Sequence, residues 1–188
     1  MNRTAGGIRG RALLKQILFG LCILILVSIT AIGTAALKAR SSDGPTHLFS
    51  GGPLTSGPLT TGPEPDWQFT DQIESIELQL YDPRTSRRVW VTQYDGKIYV
   101  VSGVRDSFLG RLWFTWPLHA AEDDRAVVRI DGKRYRRQLR RIRSGQELDG
   151  ITAALREKYS EYGATSNRQD VEDGVLWLFE LAPQIEGS

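Results

Sequence analysis

The sequence predicts a mainly β, α+β protein: a six-stranded antiparallel split β-barrel with two peripheral helices, preceded by one transmembrane helix. Three observations carry that reading. Residues 16–37 hold no charge, two Asp-Gly pairs sit between runs of alternating hydrophobicity, and VLWLFEL (175–181) is apolar on both faces. At 188 residues the chain has room for one modest domain with appendages, not for two full enzyme domains.

Gln16 to Leu37 is long enough, as a helix at ~1.5 Å per residue, to cross the hydrocarbon core of a bilayer. Helix is the expected state, because nothing in lipid satisfies free backbone groups. Arg3, Arg9, Arg11 and Lys15 precede the span, and Lys38 and Arg40 follow it. That bias places residues 1–15 in the cytoplasm as a basic tail and the body on the periplasmic or extracellular side of the inner membrane. The alternative is a cleaved signal peptide, with Gly33-Thr34-Ala35 at the cleavage site. The length of the apolar run and the charges after it favour a retained signal anchor. Cys22 lies too deep in the span, behind Phe19-Gly20-Leu21, to be a lipoprotein cysteine.

Residues 38–66, crowded with Gly and Pro and carrying a GPLT doublet, cannot bury enough apolar surface to fold alone and are expected to be a linker. Leu48, Phe49, Leu54 and Leu59 leave open the alternative that this strip docks along the body or a partner.

The body, 67–188, is punctuated as strands. IESIELQLY (73–81) alternates with period two. Residues 87–103 form a hairpin about Asp95-Gly96, and 126–142 a second about Asp131-Gly132, since Asp-Gly suits turns with positive φ at both positions. VLWLFEL reads as a central strand. One helix is expected over FLGRLWFTW (108–116), capped by Ser107 and limited by Pro117. A second starts in a capping box, Ser144 to Glu147, and ends near Tyr162 before Gly163, with Leu148, Ile151, Leu155, Tyr159 and Tyr162 on one face. Six strands with helices between hairpins suggest a closed or split barrel.

Composition excludes several functions. One Cys rules out an internal disulfide and a Cys-based metal site, and His47 and His119 are too few for a His-rich centre, so no metal is expected. Residues 1–63 carry six Lys/Arg against one Asp, and residues 64–188 carry eighteen against twenty-one Asp/Glu. The alkaline balance belongs to the amino-terminal part, which argues against a nucleic-acid-binding body. No Ser–His–acid spacing appears, and GGIRG (6–10) precedes a span rather than a βα turn, so it is no dinucleotide fingerprint.

Residues 113–142, WFTWPLHAAEDDRAVVRIDGKRYRRQLRRI, resemble a stretch of the split-barrel flavin- and deazaflavin-binding superfamily, the pyridoxamine 5′-phosphate oxidase-like proteins and deazaflavin-dependent nitroreductases. The matches are Trp113 or Trp116, Ala120-Ala121, Val127-Val128, Gly132, Tyr135 and Arg141-Ile142. VWVTQYDGKIYVVSG is similar to the family's first hairpin, while Lys158-Tyr159 and LFELAP resemble a sibling family of uncharacterised proteins. The resemblance covers about 67–183 and implies FMN or a deazaflavin as cofactor, and a homodimer. It carries the cofactor contact onto Arg84 and Ser86 of RTSRR, with Arg87 standing where the family has Gly and Arg88 following. A second departure is VRDSFLG after Gly103, in place of a short glycine loop.

Arginine suits a phosphate because its planar fork pairs two oxygens at once. RTSRR also reads as a solvated hairpin edge whose charges deter edge pairing. Lys133–Arg143 sets Arg134, Arg136, Gln138 and Arg140 on one strand face. That stripe serves phosphate, anionic lipid, or solvent alone with Glu122, Asp123, Asp124 and Asp131 nearby. Trp67, Trp90, Trp113, Trp116 and Trp177 are expected as core first and pocket wall second. Two functional classes follow. One is a membrane-tethered flavin- or deazaflavin-dependent reductase of a small molecule. The other is a non-catalytic barrel that binds a partner or small ligand at the membrane surface.

Overall fold

A computed structural model describes residues 4–46, 49–103, 115–162 and 164–184. The chain divides into two units, residues 1–39 and 40–188.

The first unit is helix α1, Thr4–Arg40. Its stretch Leu13–Arg40 is long and apolar enough to cross a membrane. Leu18, Phe19, Leu26 and Ile29 are all exposed on it. The hydroxyls of Ser28, Thr30 and Thr34 donate to the carbonyls four residues back, at 2.8, 2.9 and 2.8 Å. These three hydroxyls thus satisfy themselves along the helix, as any span in lipid would require.

The second unit is a closed six-stranded antiparallel barrel. In chain order its strands are β1 (Ser75–Leu80), β2 (Ser86–Tyr94), β3 (Lys97–Gly103), β4 (Arg125–Ile130), β5 (Lys133–Ile142) and β6 (Leu176–Pro183). Around the barrel the order is β1-β2-β3-β6-β5-β4. Both Asp-Gly turns take the positive φ they were expected to supply: Asp95 51° and Gly96 73°, Asp131 48° and Gly132 72°. Alternation then sends one phase of every strand inward. Ile76 and Leu78, Val89 and Val91, Ile98 and Val100, Val128 and Ile130, Tyr135 and Leu139, Phe179 and Leu181 form one buried cluster. Trp67, in a 3-10 turn over Trp67–Gln72, joins that core and meets the Tyr135 ring edge-on at 5.2 Å.

Helix α2, Trp116–Glu122, begins where the sequence reading had a helix end. Pro117 occupies its first turn, where its missing N–H costs nothing, so it opens this helix. The expected cap Ser107 and residues 108–114 lie outside the described residues, as does Gly163.

Helix α3, Leu148–Lys158, buries Leu148, Ile151, Leu155 and then Tyr159 against the outer face of β2, β3 and β6, with Tyr99 and Leu178. Its expected capping box is absent. The N-cap is Glu147, with no side-chain cap bond. Arg168 bolts that end instead, donating to the Gly145 carbonyl at 2.8 Å and to Asp149 at 2.6 Å. The box that does form, Asn167 with Asp170, caps a short helix α4, Arg168–Glu172. Tyr162 departs from the apolar face: α3 has ended, a 3-10 turn carries Ser160–Tyr162, and its ring is 57% exposed.

The Gly/Pro-rich stretch is docked along the barrel where it is described. Gly51 bridges Ser86 antiparallel and Leu59 bridges Arg134 parallel. Leu54 is buried, and its N–H donates to Gln79 Oε1 at 2.7 Å. Arg129 pairs with Glu77 and with Asp43 of the strip. Glycine permits the fit. A Cβ at Gly51 would collide with the Gly44 carbonyl, and one at Gly57 (φ 87°) with the Gly132 carbonyl. We call residues 49–60 the strap.

Candidate functional site

Strands β2 and β3 part company at one end. Their ladder runs from Tyr94–Lys97 to Val91–Val100 and stops. Beyond it β2 continues to Ser86 paired with β1, and β3 to Gly103 paired with β6. Between the parted strands lies a cleft of about 520 Å³. Arg88 and Trp90 line it from β2, Ser102 and Gly103 from β3, Trp116 from α2, and Tyr159 from beyond α3. Its far rim is Ala164–Ser166 with Asp170, Val175 and Leu176.

The wall is mainly apolar with a few polar groups, the usual make-up of a small-molecule site. The Trp90 indole stacks on the Tyr159 ring at 4.4 Å and 9°. Trp116 leans on Phe179 at 5.3 Å. Tyr159 is itself fixed. Its hydroxyl accepts from the Val91 N–H at 2.9 Å and lies 2.7 Å from the carbonyl oxygens of both Val91 and Glu74. Burial pushes that phenol well above its ordinary pKa. Lys158, next along, donates to the carbonyls of Thr70 and Val91 at 2.7 and 2.6 Å, and burial lowers its ammonium to about 8.

Asp170 is the carboxylate on the rim, and it is already engaged, accepting from the Asn167 N–H at 3.0 Å. Arg88 is exposed, and among the described residues no carboxylate pairs with it. Ser102 is 5% exposed, and its hydroxyl has no hydrogen-bond partner.

Strand geometry separates the four residues of RTSRR picked out in the sequence. Arg84 is exposed in the turn before β2. Ser86 is fully buried on the outer face, where Oγ donates to the Gly52 carbonyl at 2.6 Å. Its backbone exchanges bonds of 3.0 and 2.8 Å with Gly51. Arg87 pairs across β1 with the inward Leu78, so it points to the barrel interior; burial lowers its guanidinium to about 10. Arg88, one residue on, points outward and lines the cleft. Period two sends Arg87 and Arg88 to opposite faces of the sheet.

The basic stripe on β5 is also divided. Arg134 is spent on the strap, donating to the carbonyls of Gly57 at 2.9 Å and Leu54 at 2.8 Å, and Gln138 donates to Asp124 at 2.8 Å. Arg136 and Arg140 are exposed. Of the tryptophans, Trp67 is core, Trp90 and Trp116 line the cleft, and Trp177 packs on the core beneath the Arg141 guanidinium, 3.4 Å from its ring centre. Trp113 lies outside the described residues. Among the described residues no cluster of His, Cys, Asp or Glu is placed to hold a metal ion. The sequence reading missed Ser102, although its place in the inward phase after Ile98 and Val100 was a usable signal.

No family model matches the chain, and no curated protein matches it. Solved structures are similar to it, among them the two that follow. The conserved hypothetical protein Rv2991 from Mycobacterium tuberculosis is 11% identical, with 68% of this chain and 83% of that one covered and a TM-score of 0.46. Campylobacter jejuni ChuZ is 12% identical, with 62% of this chain and half of that one covered and a TM-score of 0.38.

Proposed function

We propose that this chain is a membrane-tethered barrel whose β2–β3 cleft binds a flavin-type small molecule, FMN or a deazaflavin, in the service of reducing a small substrate. The observation that carries the reading is the cleft itself. Its size falls in the range of small-molecule sites, ~300–1,000 Å³. It has indole rings from two elements along it and, at its edge, an arginine that no carboxylate among the described residues pairs with. Arg88 is the phosphate contact of this proposal, with Arg84 reaching from the same end of the barrel. Bound there, a flavin supplies hydride transfer, while the protein supplies binding, orientation and exclusion of water. Helix α1 anchors the barrel, with the N-terminus in the cytoplasm and the barrel on the far side. A second copy completes a homodimer.

The second reading, a non-catalytic barrel that binds a small ligand or partner at the membrane surface, is favoured by one observation. The strap claims Ser86, and Arg87 turns inward, so half of the RTSRR segment does not face the cleft.

A visible absorption spectrum of the full-length protein in detergent, followed by titration with FMN and with a deazaflavin, decides between them. Saturable quenching that Arg88→Ala weakens more than tenfold, above ~1.4 kcal/mol, supports the first. No saturable binding of either compound sinks it. A carboxy-terminal alkaline phosphatase fusion tests the orientation: activity is expected, and a silent fusion reverses the topology.

A further inference from the structure

We infer that Ser102 is a specificity-determining ligand contact: its hydroxyl hydrogen-bonds the polar edge of a planar heteroaromatic ligand seated in the β2–β3 cleft. The inference rests on the cleft being a small-molecule site, and it names the part of the ligand that is read. On β3 the inward phase runs Ile98, Val100, Ser102, and the first two are core. Packing alone would continue that phase with an apolar residue. Ser102 instead sits opposite Trp177 in the ladder with β6, its hydroxyl sealed from solvent and without a partner. A buried hydroxyl in that state costs the fold stability, and nearly all such groups in folded proteins are satisfied.

The other unpartnered buried atoms do not have this character. For Arg87, Arg137 and Arg141 the buried atom without a partner is Nε, one of five donors on a guanidinium, and Gln184 does not line the cleft. For Ser102 the idle atom is the whole polar group. Rotation about its single χ1 presents the hydroxyl to a ligand, either to accept from a ring N–H or to donate to a ring carbonyl. Trp90 and Trp116 line the same cleft, and indole walls favour a flat conjugated body. Flat apolar faces with one polar edge define the ligand class: heteroaromatic rings, in preference to hydrocarbons of the same shape.

Ser102→Ala removes only the hydroxyl, so its two effects have opposite signs. Without ligand, the melting temperature of the full-length protein in detergent rises, by about 3 °C. With lumiflavin, a flavin ring that has no phosphate, affinity falls about tenfold, and FMN loses the same factor. Arg88→Ala, by contrast, weakens FMN and leaves lumiflavin unchanged. Wild-type affinity for lumiflavin in Ser102→Ala, or a lowered melting temperature, overturns the inference. If the wild type binds neither compound, the cofactor reading falls and the melting temperature alone judges Ser102. A rise upholds a hydroxyl idle in the fold, and a fall shows a structural one.

Discussion

Glu64 holds Arg137 inside the barrel. The guanidinium is 2% exposed, and its Nη1 donates to Glu64 Oε1 at 2.7 Å while the ring of Trp67 lies 5.0 Å beneath it. The second carboxylate oxygen accepts from Trp67 Nε1 at 2.9 Å, so one side chain fixes both a buried charge and a core indole. Removing the carboxylate strands the charge. Glu64→Ala is expected to cost about 2 kcal/mol, less than for a fully buried pair because Glu64 is 41% exposed. Urea denaturation checks it. Glu64→Ala combined with Arg137→Met should recover part of the loss, and a single variant as stable as wild type would refute the account.

The strap predicts a local effect with a small global one. Leu54 is 3% exposed, and trimming it to Ala should cost about 2 kcal/mol. Gly51→Ala drives a methyl group into the Gly44 carbonyl and should detach the strip from Ser86 while the barrel stays folded. Limited proteolysis reads this directly. Cleavage between residues 41 and 60 should be slow in wild type and at least tenfold faster in Gly51→Ala. Equal rates would mean that the bridges to Ser86 and Arg134 do not persist in solution.

What was legible in the sequence was periodic. Alternation in IESIELQLY and the two Asp-Gly hairpins specify which side chains face inward, and the barrel core is made of those residues. What was not legible depended on partners far along the chain. Ser144 to Glu147 has the spacing of a capping box, yet the start of α3 is held by Arg168, nineteen residues beyond Asp149. Pro117 is compatible with ending one helix or beginning another, and only packing of Trp116 and Ala120 into the core settles the choice. The strap has too little apolar surface to fold by itself, but composition does not register that a finished barrel offers it a surface.

The site follows the same division. Arg88 and Trp90 were visible as a basic and an aromatic residue, but the cleft between them and Ser102 exists because the β2–β3 ladder stops at Val91–Val100. In sequence, Ser86 matches the family pattern and Arg87 stands where that pattern has Gly. Pleating then assigns them to opposite faces, and the strap consumes the serine.

Tyr159 ties α3 to β2, and Tyr159→Phe isolates that tie. The ring keeps its stack on Trp90, while the buried Val91 N–H loses its acceptor. The Val91 carbonyl keeps Lys158 Nζ at 2.6 Å while the Glu74 carbonyl loses the hydroxyl, so the cost is that of the orphaned Val91 N–H and this second lost bond, about 1–3 kcal/mol. Amide hydrogen exchange at Val91 should accelerate with it. Unchanged exchange would show that the hydroxyl contributes little.

Lys158 makes stability depend on pH in the direction opposite to an ordinary paired lysine. Burial lowers its folded-state pKa from 10.5 to about 8, against a weaker opposing pull from Asp71. Between those two values the unfolded chain holds a proton that the folded chain has released, so the term from this group rises as pH increases from about 8 toward 10.5. Tyr99, raised to about 12, acts the other way, and its contribution is lost only above pH 10, where the unfolded phenol ionises. The informative window is therefore pH 7.5–9.5. Across it, wild type should gain stability relative to Lys158→Met, which lacks the titrating amine but fills a similar volume. Chemical denaturation of both proteins at each pH gives the difference. A constant offset reports only the two hydrogen bonds to Thr70 and Val91, whereas a slope that grows with pH identifies the ammonium as the strained form. A slope of the opposite sign would place the folded pKa above 10.5, with Asp71 prevailing over burial.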